Sequence, residues 1–336
     1  MHTVSTYNLG LEQFWQTHKK WITYLKIVLA IFTIGFILYK LLVAYQKDIK
    51  FKSFHFDFSL NNILFLVLAI ALLFLNWTLE TIKWHLLINQ FEKISFWEAL
   101  KAVFSGVTLS IITPNQLGDF VGRIIHLKTL NKYKGSLVAV IGNTAQILVT
   151  AIFGMYALLA FLVKVDYGIY LIWKPIALFF FVMHVVAFIG FIRIDIVYKA
   201  LSRTKFFYKI EKYVVVFKSY SKNQLFKIFF ISLIRYSVYL AQYVLLLYFF
   251  GVQLGVLNSF MAVIAIFCIQ SIIPSFILID IGLRGVSALF IFGELSNYNK
   301  EIELGVLLSA YSLWIINMLI PSLFGLYFIL KHKFIK

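Results

Sequence analysis

Four ionisable residues at matched spacing are the first candidates for chemistry. Asp119 and Arg123 stand four residues apart, as do Asp280 and Arg284, and the pairs are offset by the same 161 positions (280 − 119 and 284 − 123). On a helix, residues four apart share a face and can form an ion pair. Pro114 precedes the first acid and Pro274 the second, with Gly118 and Gly282 close by. Arginine's planar fork donates two parallel hydrogen bonds, a match for phosphate and other oxyanions. The carboxylates would then set the charge balance, and Asn115, in the polar run Pro114-Asn115-Gln116, would add an amide. The competing role is structural: an ion pair that pins each element where a lone charge in hydrocarbon would be expensive.

Arg235 is a third candidate. It lies deep in an apolar run, with Tyr239 and Gln242 on its face at i+4 and i+7. An arginine at that depth must face protein or water. No carboxylate lies on its own run, so Asp119, Asp280 or a bound phosphate is expected to meet its charge. Asn143, Gln146 and Thr150 share another face, with Gly154 beyond them, a pattern expected of helix packing in membranes. Asn76, Glu80 and Lys83 form a further face, at the end of an apolar run, where Glu80 is expected to be solvated.

No catalytic constellation is present. Cys268 is the single cysteine, the seven His are scattered, and there is no Gly-x-Ser-x-Gly or Gly-x-x-x-x-Gly-Lys sequence. Asp48 and Asp57 share a loop without evident partners. The sequence therefore predicts no metal, no cofactor and no enzymatic activity.

The elements that must position these residues are membrane helices. Hydrophobic residues make up 62% of the chain and charged residues 13%, against roughly a quarter charged in soluble domains. Several apolar runs reach the ~20 residues that span a bilayer. The expected fold is an all-α integral membrane protein, a single transmembrane domain over 1–336. About six full spans are expected, at 25–45, 63–79, 137–163, 169–192, 225–250 and 304–330, with Trp77 and Trp84 as interface anchors. Two re-entrant hairpins, 96–130 and 258–293, would hold the Asp–Arg pairs, kept broken by Pro114 and Pro274 with Gly118 and Gly282. Irregular backbone at membrane depth survives only where protein or a wet cavity shelters it. Each half, 1–163 and 164–336, then reads span, span, hairpin, span. Three crossings per half make the second half inverted, an arrangement used by transporters whose broken helices meet near the midplane.

The net charge of +17 does not point to nucleic acid. Lys and Arg cluster in short loops between apolar runs, as topology signals do. With both termini on the cytoplasmic side, that side carries most of them, including the run from Arg193 to Lys222. This polar stretch is either a topology loop or a helix lying on the membrane surface. The first twenty residues include Glu12 and no apolar run, which is not the pattern of a secretory signal.

The run Pro114-x-x-x-Gly118-Asp119-x-x-x-Arg123 resembles the Pro-x-x-x-Gly-(Glu/Asp)-x-x-Arg region of the lysylphosphatidylglycerol synthase transmembrane family, the flippase-like domain family, with one more residue between acid and Arg. Pro274 to Arg284 resembles that family's second motif, Pro-x-x-x-Gly-Gly-x-Gly-x-Arg-Glu. Here Asp280 replaces a Gly and Gly285 stands where Glu is usual. The resemblance covers roughly 20–330. It implies a multi-pass protein of the bacterial cytoplasmic membrane that translocates or binds an anionic phospholipid or lipid-linked headgroup. The family's best-known members carry a soluble synthase domain after the membrane part. This sequence stops at Lys336, just past its last span, so no aminoacyl transfer is expected of it. The expected partner is a membrane lipid, with Asp119, Arg123, Arg235, Asp280, Arg284 and Asn115 at the binding site. The alternative is a membrane enzyme, or an accessory subunit, of a lipid-linked glycosyl- or acyltransferase system.

Overall fold

A computed structural model describes residues 57, 59–113, 116–169, 171–202, 215–273, 277–296 and 300–331, which belong to one unit, His55–Lys336. The expected first span at 25–45, and Pro114, Asn115 and Pro274, lie outside the described residues. Every regular element among the described residues is helical. In chain order they are α1 (Leu60–Ile88), α2 (Phe96–Ile111), α3 (Gly118–Ile124), α4 (Lys132–Lys164), α5 (Trp173–Ile192), α6 (Ile194–Leu201), a 3-10 turn (Val215–Ser219), α7 (Lys222–Phe249), α8 (Val256–Ile272), α9 (Ile277–Leu295), α10 (Lys300–Trp314), a π turn (Ile315–Leu319) and α11 (Ile320–Lys331).

Among the described residues, α1, α4, α5, α7 and the run Ile302–Lys331 are long and apolar enough to cross a bilayer. At 16 residues, α2 rises only about 24 Å, short of the ~30 Å hydrocarbon core.

Local chemistry explains where several helices begin. Ser95 and Glu98 form a capping box at the start of α2, and Ser221 and Gln224 form another at the start of α7. Asn131 caps α4 by accepting from the Tyr133 N–H at 2.9 Å. The break between α2 and α3 is closed by Thr113, whose hydroxyl accepts from the Gly118 N–H at 2.7 Å. Glu92 fixes the chain after α3. Its carboxylate accepts from the N–H groups of Lys128 (2.8 Å), Thr129 (3.0 Å) and Leu130 (2.7 Å).

The π turn also has a local cause. Pro321 has no N–H to donate to the carbonyl four residues back, that of Asn317, and its ring would crowd that turn. The helix widens there, and the Ile320 N–H bonds to the Ile315 carbonyl instead.

The most extensive helix–helix packing joins α1 to α7. The two run antiparallel and are tied at three levels. Tyr220, just before α7, donates to the Leu87 carbonyl at 2.8 Å, Gln242 donates to the Ala69 carbonyl at 2.8 Å, and Asn62 donates to the Phe249 carbonyl at 2.9 Å. Around this pair, α2 packs on α11 and α8 packs on α4. Both contacts run close through a small residue. A side chain at Gly325 would collide with Phe104 and Thr108, and one at Gly154 would collide with Cys268. Small residues let helix backbones approach where lipid supplies no hydrophobic drive for association.

Candidate functional site

The α1–α7 seam holds an ionic cluster, with Glu80 at its centre. Hydropathy places the end of this span near Leu79, but α1 continues for two more turns, to Ile88. Glu80 is therefore 2% exposed, which corrects the expectation of a solvated carboxylate. The helix can continue through Glu80 and Lys83 because both charges are met inside the protein. Glu80 Oε1 accepts from Arg123 Nη2 at 2.8 Å. Its Oε2 lies 2.7 Å from Lys83 Nζ and 3.3 Å from Arg235 Nε. One carboxylate thus serves three cations, drawn from α1, α3 and α7.

The first Asp–Arg pair forms as its spacing predicts. Arg123 Nε donates to both Asp119 oxygens, at 2.9 and 3.0 Å. Close packing of α2 against α3 holds the pair in place. A Cβ at Gly106 would meet Asp119, one at Gly118 would meet the Leu109 carbonyl, and one at Gly122 would meet Ser105 and Gly106.

Arg235 sits near the middle of the 28-residue α7, and its carboxylate partner is Glu80 rather than Asp119 or Asp280. Its Nη1 donates to Gln146 at 3.2 Å, and Asn143 donates to Asp119 at 3.3 Å. Asn143 and Gln146, read from sequence as packing residues, are arms of the cluster. Farther along α4 the packing reading describes the structure: Thr150 bonds the Gln146 carbonyl and Gly154 abuts Cys268.

The tryptophans also differ from expectation. Trp84 and Trp77 are buried, not at an interface. Arg123 lies over the Trp84 ring at 5.5 Å and Arg235 over the Trp77 ring at 5.7 Å. Each guanidinium thus has a carboxylate at its edge and an indole at its face, a cation–π arrangement that strengthens when dry. The spacing that could have revealed this is Trp77-x-x-Glu80-x-x-Lys83-Trp84, an acid flanked by two aromatics on one helical stripe.

One turn from Glu80, Asn76 begins a chain of buried amides. Asn76 donates to Asn317 and Asn317 donates to Gln242, each at 2.9 Å. The widened turn at 315–319 brings Asn317 to the α1–α7 seam, so the last span is joined to the wall of the cluster.

Among the described residues the charges do not cancel. Glu80 and Asp119 supply two negative charges, and Lys83, Arg123 and Arg235 supply three positive ones. One positive charge is left over in a place where all but Arg235 are nearly inaccessible. Arg235 keeps 20% of its side-chain surface, so it is the open edge of the cluster.

The second pair forms as well, with Arg284 Nε 2.9 Å from Asp280 Oδ2. It makes no ion pair or hydrogen bond with the first cluster among the described residues. The structure thus brings Asp119, Arg123 and Arg235 together and leaves Asp280 and Arg284 as a separate pair. Gly118 is held in close packing, whereas a Cβ at Gly282 would meet nothing within 4 Å. No group of three or more His, Cys, Asp and Glu suited to a metal occurs among the described residues.

No curated protein and no solved structure matches the chain. The family described as lysylphosphatidylglycerol synthase TM region matches residues 25–325, a stretch that contains all five long apolar helices up to the last turns of α11, the ionic cluster and both Asp–Arg pairs. The chain is a multi-pass membrane protein belonging to the lysylphosphatidylglycerol synthase transmembrane family.

Proposed function

We propose that the Glu80–Arg123–Arg235 cluster binds the phosphate of an anionic membrane lipid, and that the protein carries this lipid between leaflets. The observation that carries the reading is the uncancelled positive charge. A buried excess charge is costly unless a counterion meets it, and a lipid phosphodiester brings one negative charge and oxygens for an arginine fork. Arg235, the most open member, is the point of first contact. Membership of this family supports a role in lipid metabolism or transport.

The inverted-repeat reading supplies a route. In it, α1 corresponds to α7, α2–α3 to α8–α9, and α4 to the run α10–α11. The packing is consistent with that exchange: α1 lies on α7 across the proposed axis, α2 lies on α11, and α8 lies on α4. The two broken segments would open to opposite leaflets. The Lys and Arg distribution supports cytoplasmic termini in a bacterial inner membrane.

The test is lipid retention and flipping by the purified protein in phosphatidylcholine membranes with added phosphatidylglycerol. Wild type should retain phosphatidylglycerol and move a labelled analogue, and Arg123→Gln should do neither. Retention unchanged in Arg123→Gln would sink the site. Orientation is tested by single cysteines at Ser221 and Ser296 in a background lacking Cys268. Ser221 should be labelled from the cytoplasm and Ser296 from outside.

A further inference from the structure

We propose that anion binding at the Glu80 cluster takes up one proton, and that the Lys83 amine is the group that holds it. The coupling rests on the phosphate-binding reading above and adds to it a proton site. Fully protonated, the cluster has Lys83, Arg123 and Arg235 against Glu80 and Asp119. A bound phosphodiester supplies the missing negative charge. With no ligand present the excess has to be relieved from within, because a buried charge left uncompensated gives up its proton rather than stay ionised.

Elimination leaves one donor of that proton. The guanidinium groups of Arg123 and Arg235 do not deprotonate in proteins. Protonating Glu80 or Asp119 would enlarge the excess. Lys83 remains, and lysine is the cation that changes its protonation most readily when buried. It is 1% exposed, so water cannot carry its charge in place of the ligand.

The packing around Lys83 supports the assignment. On its own helix Glu80 lies 2.7 Å away. From α3 come Arg123, bonded to the same carboxylate, and Asp119, bonded to Arg123. From α7 comes Arg235. The wall on α4 is neutral: a side chain at Gly142 would lie 3.5 Å from Lys83 Cε, and Asn143 and Gln146 do not titrate. On α2, Lys101 is exposed. Glu80 Oε2 is divided between Lys83 at 2.7 Å and Arg235 at 3.3 Å, and Arg235 Nε makes no hydrogen bond among the described residues. When Arg235 turns to a phosphate, this oxygen is left to Lys83 alone, which favours the ammonium. Lys83 stands five residues before the end of α1 at Ile88 (88 − 83), or about 8 Å along the helix. The exposed Gln90 and Lys93 follow, so a proton has a short path from water.

The coupling keeps the cluster neutral in both states. Loaded, three cations face two carboxylates and a phosphate. Empty, two arginines face two carboxylates. Its direction follows by linkage: a ligand bound together with a proton binds more weakly as pH rises, by about tenfold for each pH unit while the empty site is unprotonated.

The test is calorimetric titration of the full chain in phosphatidylcholine nanodiscs with short-chain phosphatidylglycerol, in two buffers of different ionisation enthalpy. A phosphodiester does not titrate near neutral pH, so any proton taken up belongs to the protein. Wild type should take up about one proton per lipid bound, the stoichiometry of a single linked group. Lys83→Met leaves Glu80 with both arginines and should melt at or above wild type. Its binding should show no proton uptake, no pH dependence, and an affinity at least about tenfold weaker below neutral pH, the scale of one charged contact. Lys83→Arg, whose charge cannot be shed, should bind lipid without proton uptake at an affinity that pH leaves unchanged. Wild-type binding without proton uptake overturns the coupling and leaves the lipid site standing. Wild-type uptake that persists in Lys83→Met, or in Lys83→Arg should the first variant not fold, overturns the assignment to Lys83. A wild type that binds no phosphatidylglycerol overturns the binding reading and the coupling with it.

Discussion

Asp119–Arg123 and Asp280–Arg284 are the same local device, an acid and an arginine one helical turn apart, each closed at 2.9 Å. Around the first pair, α1 contributes Glu80, α4 contributes Asn143, and an indole lies over the arginine. Beside the second, the Tyr311 hydroxyl of α10 abuts Gly285, and no further carboxylate is bonded to the arginine among the described residues. In the first region α2 and α3 are packed closely through Gly106, Gly118 and Gly122, while Gly282 beside the second pair borders open space. The difference shows how little a four-residue spacing specifies. It closes an ion pair, and other helices then decide whether that pair becomes part of a charged centre or remains a neutral one.

The sharpest way to break the comparison is to remove the carboxylate that only the first region has. Glu80→Leu leaves Lys83, Arg123 and Arg235 with Asp119 alone. Removing one partner of a buried ionic network costs about 3–5 kcal/mol, so the variant should unfold far below wild type. Thermal unfolding in detergent should show it. Asp280→Leu leaves a single arginine with 11% of its side chain exposed and should cost less. Equal losses in the two variants would mean that the first region is not a distinct centre.

The glycines give the next largest contrast. Gly118→Ala places a methyl group against the Leu109 backbone, which cannot yield as a side-chain tip can. Overpacking of this kind costs about 1–3 kcal/mol. Gly282→Ala, in open space within a helix, should instead stabilise by up to about 1 kcal/mol through helix propensity. Unfolding measured on the two variants should shift in opposite directions. A destabilising Gly282→Ala would show that Gly282 has a close neighbour after all.

Arg235→Lys sharpens the comparison at the level of binding. It keeps the charge beside Glu80 but loses the planar fork and the stacking on Trp77. Phosphatidylglycerol retention at the first site should fall by roughly tenfold, the scale of one charge-assisted hydrogen bond. The separate Asp280–Arg284 pair should be unaffected and the protein should still fold. An unchanged first-site affinity would mean that Arg235 supplies charge alone.

The parts legible in the sequence were those encoded locally. The i,i+4 spacing gave both ion pairs, and apolar length gave the long helices. The depth of Arg235 marked it for burial. What was not legible came from tertiary partners. Glu80, Lys83 and Trp84 look like the polar end of a span because hydropathy averages over the turn in which they occur. They stay helical and buried only because Arg123 and Arg235 arrive from elements 43 and 155 residues later (123 − 80 and 235 − 80). Asn143 and Gln146 have the side chains expected of packing residues, and nothing near them in sequence says that an aspartate and an arginine lie opposite. The widened turn at Asn317 was hidden for a similar reason: Pro321 signals a disturbed helix, but not that an amide would be turned towards Asn76 and Gln242.

The smallest expected effect lies outside both regions, at the start of α2. Glu98 caps α2 and pairs with Lys128 at 2.9 Å. The hydrogen bond from the Lys128 ammonium, then that from the Ser95 N–H, pull the Glu98 carboxyl from 4.5 down to about 2. A carboxyl depressed in the folded state contributes stability that is present above its ordinary value and is lost as pH falls towards the depressed one. Melting temperature should therefore decline between about pH 4.5 and pH 2, and Glu98→Gln should flatten that part of the profile. Lys128 is 74% exposed, so the effect should be slight and should shrink in high salt, as exposed pairs do. The buried cluster, shielded from solvent ions, should show no such salt sensitivity. If added salt lowered the stability of the Glu98→Gln variant as much as that of wild type, the salt-sensitive charges would have to be sought elsewhere, the Glu80 cluster included, and the contrast between a sealed centre and its exposed rim would fail.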